Sequence, residues 1–219
     1  RKSAENLARS SLMVPQVTQF DLADITELEA FRLTQRDRFK ADGLSLTMTA
    51  LAAKTVAYLL REMPQFNASL SRDGESLVLK QYVNLGIAVD TPNGLMVPVL
   101  HNADRMSLRE IAEQLGVLAE QARTGKLPPA AMQGASFTIS SLGGIGGTAF
   151  TPLVNWPEVA ILGLSRASKA PVWNGSAFEP RLQLPLSLSY DHRVIDGAAA
   201  ARFTTRLAAL MADIRQLLV

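Results

Sequence analysis

"LSLSYDHRVIDGAAAARF", residues 186–203, changes period in its middle, and that change decides the fold class. Leu186, Leu188 and Tyr190 alternate as a half-buried strand does, whereas after Gly197 the apolar residues recur at helical spacing. His192, one of only two histidines in 219 residues, stands between the two patterns. A strand that runs through a short polar turn into a helix marks an α/β chain. Strand-end loops are also where side chains are free to do chemistry.

Working upstream, "RLQLPLSLSY" reads as one long alternating strand, and Pro185 inside it predicts an edge position or a bulge. Downstream, Phe203, Leu207, Leu210, Ile214 and Leu217 form the stripe of a closing helix. "SFTISS" and "VAILGLS" are strand candidates separated by a glycine-rich loop, and Val83, Leu85, Ile87 and Val89 alternate up to a Pro92-Asn93-Gly94 turn that predicts a hairpin. Asp24 with Glu27, and Ser107 with Glu110, have the spacing of capping boxes at two helix starts. "LTMTALAAKTVAYLLREMP" is apolar on nearly every side and predicts a helix inside a large core. No repeat or linker divides the chain, so residues 1–219 are expected to form one mixed α/β domain with a substantial sheet.

The 22 Lys and Arg are scattered among 20 Asp and Glu, which gives no footprint for nucleic acid or anionic lipid. Cysteine is absent, so disulfides, thiolate metal sites and a cysteine nucleophile are excluded, and a reducing compartment suits the chain. No apolar run approaches the ~20 residues of a membrane span. With Arg1 first, the chain is expected to be a fragment of something longer.

Gly144-x-Gly146-x-x-Ala149 follows a strand and formally matches the dinucleotide fingerprint, but Thr151-Pro152 stands where the phosphate-binding helix should begin. Close backbone approach to a ligand, or a tight turn, is the better account of those glycines. "GLSRA" at 163–167 falls one residue short of a nucleophile elbow, and two distant histidines give a metal site nothing to stand on. His101 lies in polar loop chemistry and reads as solvated. His192 has Asp196 four residues on. Either that carboxylate orients the imidazole, or it caps the following helix beside an incidental histidine.

"YDHRVIDGA" resembles the signature of the catalytic domain of dihydrolipoyl acyltransferases, the core components of 2-oxo acid dehydrogenase complexes, whose fold is shared with chloramphenicol acetyltransferase. "VPQVTQFDLADITELEAFR", "VNLGIAVDTPNGLMVPV", "FTISSLGGIGGTAFTP" and "PEVAILGLS" resemble further blocks of that family in the same order, over nearly the whole chain. The first block is most similar to bacterial acetyltransferases of the pyruvate dehydrogenase complex, with succinyl or branched-chain members and a non-catalytic assembly core as the alternatives.

The resemblance implies a two-layer, chloramphenicol-acetyltransferase-like sandwich that trimerises and assembles into cubes of 24 subunits or dodecahedra of 60. It implies His192 as general base, Asp196 as the second residue of the histidine motif, and Ser140 as the hydroxyl that stabilises the tetrahedral intermediate. His192 would come from one subunit and Ser140 from the next. Coenzyme A and lipoamide are the implied substrates, with Phe150, Asp90 and Arg32 on the coenzyme A side. The implied partners are lipoyl domains, the dehydrogenase and dihydrolipoyl dehydrogenase; lipoyl and subunit-binding domains are expected upstream, in a bacterial cytoplasmic protein with no metal.

Overall fold

In the computed structural model, residues 2–92 and 94–218 are described. Asn93, in the middle of the sequence-predicted Pro-Asn-Gly turn, lies outside them. The main sheet is built from β1 (Gln16–Asp24), β4 (Leu85–Ile87), β7 (Val99–Leu100), β8 (Phe137–Ser141), β9 (Ala160–Leu164), β10 (Ser168–Trp173) and β11 (Phe178–Asp191). Its order is β1-β11-β9-β8-β4-β7, with β10 pairing the first half of β11. The sheet is mixed, because β8 runs parallel to β4 and β9 while β11 is antiparallel to β1, β9 and β10.

Two ribbons stand apart from it: β2 (Ala68–Leu70) with β3 (Leu77–Leu79), and β5 (Val89–Thr91) with β6 (Gly94–Met96). The predicted hairpin nevertheless runs its full length, because β4 with β7 (Leu85 opposite Leu100) and β5 with β6 (Val89 opposite Met96) keep one antiparallel register, joined where Ile87 N donates to Pro98 O, while Ala88 N donates across to Ile139 O.

Among the described residues, five α-helices accompany the sheet: α1 (Lys2–Met13), α2 (Thr26–Ala41), α3 (Met48–Glu62), α4 (Leu108–Arg123) and α5 (Gly197–Ala212). α3 is the buried helix its sequence predicts, with Ala50, Leu51, Val56, Leu59 and Leu60 sealed from solvent. Phe203 of α5 stacks on Phe137 of β8 at 6.0 Å and meets Phe66 at 4.4 Å, which anchors the helical layer to one sheet face. Leu184, Leu186, Leu188 and Tyr190 of β11 point into the same core. The opposite face carries a small core of Val14, Val154 and Ile161, packed by Trp156. Ile214 and Leu217, assigned to the closing helix, fall instead in a short 3-10 turn after α5.

One expectation is corrected, and one open alternative is resolved. Asp24 is the last residue of β1, not a helix cap: its carboxylate accepts from Thr26 N and Thr26 Oγ1 and pairs with Arg181, while Ile25 occupies the cap position without a side-chain bond. Of the two positions that Pro185 allows, β11 is not an edge strand, and the bulge is what the fold realises: β9 pairs Leu164 with Leu186 whereas β10 pairs Ser168 with Gln183, so three residues face two at Pro185. Pro185 is tolerated in its interior because, on that side, β10 pairs only as far as Gln183 and β9 begins at Leu186. The missing N–H falls in this gap, where Ser165 N donates to Pro185 O.

Candidate active site

His192 sits on the turn after β11, and the turn is fastened on every side except at the ring. Asp191, buried, takes a two-pronged ion pair from Arg193 (Nη2 to Oδ2, 2.7 Å) and accepts from Arg193 N. Val194 N and Ile195 N donate to Asp191 O, and His192 N donates to Pro15 O at 3.0 Å. The imidazole lies 5.8 Å from the Tyr190 ring and, among the described residues, takes no hydrogen bond. A free, exposed imidazole on a rigid backbone is available to act on a proton.

Asp196 does not orient that ring. Its carboxylate caps α5 by accepting from Ala199 N at 2.7 Å. It also lies near the Tyr190 hydroxyl, whose pKa is raised by burial first and by the Asp196 charge second. Of the two readings that the sequence leaves open, the capping one is what the fold realises.

Ser140 is the fourth residue of β8, half-buried, and its hydroxyl also takes no hydrogen bond among the described residues. In the parallel register it stands opposite Gly163. A Cβ at Gly163 would come within 2.7 Å of Phe150 Cζ, so the Phe150 ring occupies the space beside the serine's register partner. Gly163 in turn pairs with Ser187 of β11, five residues before His192. Strand geometry therefore separates Ser140 and His192 of one chain by roughly 16 Å along the strands and about 10 Å across them. One chain does not bring them together.

The three residues assigned to coenzyme A also separate. Asp90 lines a cleft of about 660 Å³ with Ile87, Ser141 and Arg123. Arg32 lines an adjoining recess of about 480 Å³, where Glu29 holds its guanidinium through two bonds of 2.7 Å and Leu46 O accepts a third. The two spaces share Ser45 and Thr47, and a third of about 260 Å³ meets the first at Thr49 and Ser141. Phe150 lines none of these. Sequence reasoning passed over Ser45, Thr47, Thr49 and Ser141. For the first three the signal was the alternating run Ser45, Thr47, Thr49 leading into α3, of which Thr47 is spent capping the helix through Ala50 N.

The glycine-rich segment is a turn with no helix behind it: Gly146 and Gly147 have φ of 146° and 85°. It begins the connection from β8 to β9, residues 142–159, whose last residue but one is the buried Glu158. Burial pushes the Glu158 carboxyl up to about 7.

The fold that carries these residues occurs in solved structures. The cubic core of a pyruvate dehydrogenase multienzyme complex superposes with a TM-score of 0.98 at 62% identity, covering all of this chain and 90% of that one. A dihydrolipoamide acetyltransferase from Azotobacter vinelandii gives 0.98 at 61% identity, again covering all of this chain and 90% of that one. In that protein a serine, a histidine and an asparagine were investigated for their role in the catalytic mechanism; the serine lies fifty-two residues before the histidine and the asparagine four after it. Ser140, His192 and Asp196 have the same separations. Chloramphenicol acetyltransferase shares the fold at a TM-score of 0.57 and 17% identity, covering 96% of this chain and 95% of that one. Among curated proteins, the dihydrolipoyllysine-residue acetyltransferase component of the Azotobacter vinelandii pyruvate dehydrogenase complex is 62% identical over 216 residues, which is 99% of this chain and 34% of that protein. The chain thus spans about a third of that relative's length. The model of the 2-oxoacid dehydrogenases acyltransferase (catalytic domain) matches residues 1–219, and the chain belongs to that family.

Proposed function

We propose that this chain catalyses acetyl transfer between S-acetyldihydrolipoamide and coenzyme A, as the catalytic domain of a pyruvate dehydrogenase core in a bacterial cytoplasm. A thiol of pKa ~8.5 is only a few per cent ionised at neutral pH, so a base with a pKa near ambient is needed to activate it. His192 takes the proton from the coenzyme A sulfur. The thiolate attacks the thioester carbonyl, and Ser140 donates its hydroxyl to the resulting oxyanion. Collapse breaks the bond to the dihydrolipoamide sulfur, which recovers the proton from His192. No acyl-enzyme is required, in keeping with a chain that has no cysteine.

The observation that carries this reading is the separation of two unengaged groups, an imidazole just past the end of β11 and a hydroxyl on β8, two strands away. Both are left free of internal partners, and they can act on one substrate only if two copies of the chain face each other. We therefore place the site between subunits of a trimer, with the clefts beside Asp90 and Arg32 receiving the coenzyme A arm and a lipoyl domain reaching the other side. The cubic core among the structural relatives supports assembly of such trimers. Asp196 serves the site by capping the helix that follows His192.

Mixing tests the shared site. His192→Ala and Ser140→Ala chains should each be nearly inactive. Co-assembled at equal amounts, they should recover up to about a quarter of wild-type activity, because random assortment pairs an intact histidine with an intact serine at that frequency. Mixed trimers with no recovery would refute it.

A further inference from the structure

Glu158 is 3% exposed, and among the described residues no Lys, Arg or His lies within ion-pair distance of it. Each oxygen instead accepts from one neutral donor: Thr138 Oγ1 at 2.6 Å from Oε2, and Asn155 Nδ2 at 2.7 Å from Oε1. An apolar side chain of similar volume would fill that space without the desolvation penalty of a carboxyl, so packing alone does not account for the residue.

What the two bonds join is informative. Thr138 precedes Ser140 by two on β8, so both side chains project from the same face. The Thr138 hydroxyl is also wedged against β4, where a Cβ on Gly86 would come within 2.7 Å of it. Asn155 opens the turn in which Glu158 N donates to Asn155 O at 3.0 Å, and this turn ends the 142–159 connection. That connection carries Phe150, whose ring covers Gly163 opposite Ser140. Among the described residues, the Thr138–Glu158 bond is the only side-chain hydrogen bond between β8 and the connection.

We propose that Glu158 is a positioning residue for acyl transfer: by holding Thr138 on one oxygen and Asn155 on the other, it locks the strand bearing Ser140 to the segment bearing Phe150 and so fixes where the serine hydroxyl meets the reacting carbonyl. The inference rests on the role given to Ser140 above. A hydroxyl that is loose by a fraction of an ångström binds the ground state as before and serves the transition state less well.

The test uses the full-length, assembled enzyme with acetyl-coenzyme A and dihydrolipoamide. Glu158→Met should lower kcat about tenfold with both KM values within about twofold. Glu158→Gln should return kcat to within about threefold of wild type, because its carbonyl still accepts from Asn155 and its amide donates to the Thr138 hydroxyl. If Glu158→Met does not assemble, Thr138→Val carries the test and should show the same loss confined to kcat. Wild-type kcat in Thr138→Val, a loss confined to KM, or a glutamine variant no better than methionine overturns the proposal. Ser140→Ala separates this inference from the reading beneath it. A wild-type rate in Ser140→Ala removes the serine and takes Glu158 with it, whereas a slow Ser140→Ala beside a fast Glu158→Met removes Glu158 alone. In a Ser140→Ala background the Glu158→Met loss should shrink below about threefold. A full loss there would show residue 158 acting through some other group, which also overturns the proposal.

Discussion

A hydroxyl that engages substrate only as charge builds on the carbonyl oxygen should show itself in kcat. Ser140→Ala is expected to lower kcat by roughly a hundredfold or more with little change in KM, measured by steady-state acetyl transfer. Glu158 has a second signature, in stability. Its carboxyl ordinarily titrates near 4.5 and is pushed up to about 7 by burial, against the opposing hydrogen bonds from Thr138 and Asn155. Below about 4.5 folded and unfolded chains both keep the proton, so the group has no effect there. Between about 4.5 and 7 only the folded chain keeps it, and stability falls as pH rises; above 7 the loss is complete, on the order of 3 kcal/mol. Glu158→Gln lacks this loss, so its denaturant midpoint should gain on wild type across that window. A constant gap from pH 4.5 to 8 would show that the carboxyl titrates normally.

At the scale of elements, two identical spacings had different outcomes, and the difference can be measured. Ser107 and Glu110 form a full capping box on α4: Glu110 N donates to Ser107 Oγ at 3.2 Å, and Ser107 N donates to Glu110 Oε2 at 2.7 Å. Asp24 and Glu27 do not, because Asp24 Oδ2 pairs with Arg181 and Oδ1 accepts from Thr26 N and Thr26 Oγ1, which leaves the carboxylate off Glu27 N. Ser107→Ala should cost about 1 kcal/mol in chemical denaturation, whereas Glu27→Ala should stay within about 0.5 kcal/mol of wild type. Pro185 teaches the same lesson. Its meaning depended on which strands flank β11 and where they stop, and such pairings are set by partners more than a dozen residues away.

For the whole molecule, the site proposed between His192 of one chain and Ser140 of another ties activity to association. Diluting the enzyme until trimers dissociate should abolish acetyl transfer while the circular dichroism of the fold persists, and activity should follow the sedimentation profile. A monomer that stays active would place the whole site within one chain. The sequence by itself determined the α/β class, the buried helix α3 and the strand that leads into His192, because periodicity is a local property, whereas the roles of His192 and Ser140 came from the family resemblance. Only the tertiary structure decided that Asp196 caps a helix, that Phe150 parts from Asp90 and Arg32, and that Glu158 is buried against Thr138. Those facts depend on sheet register and on the path of the 142–159 connection, and both arise from packing between residues remote in the chain.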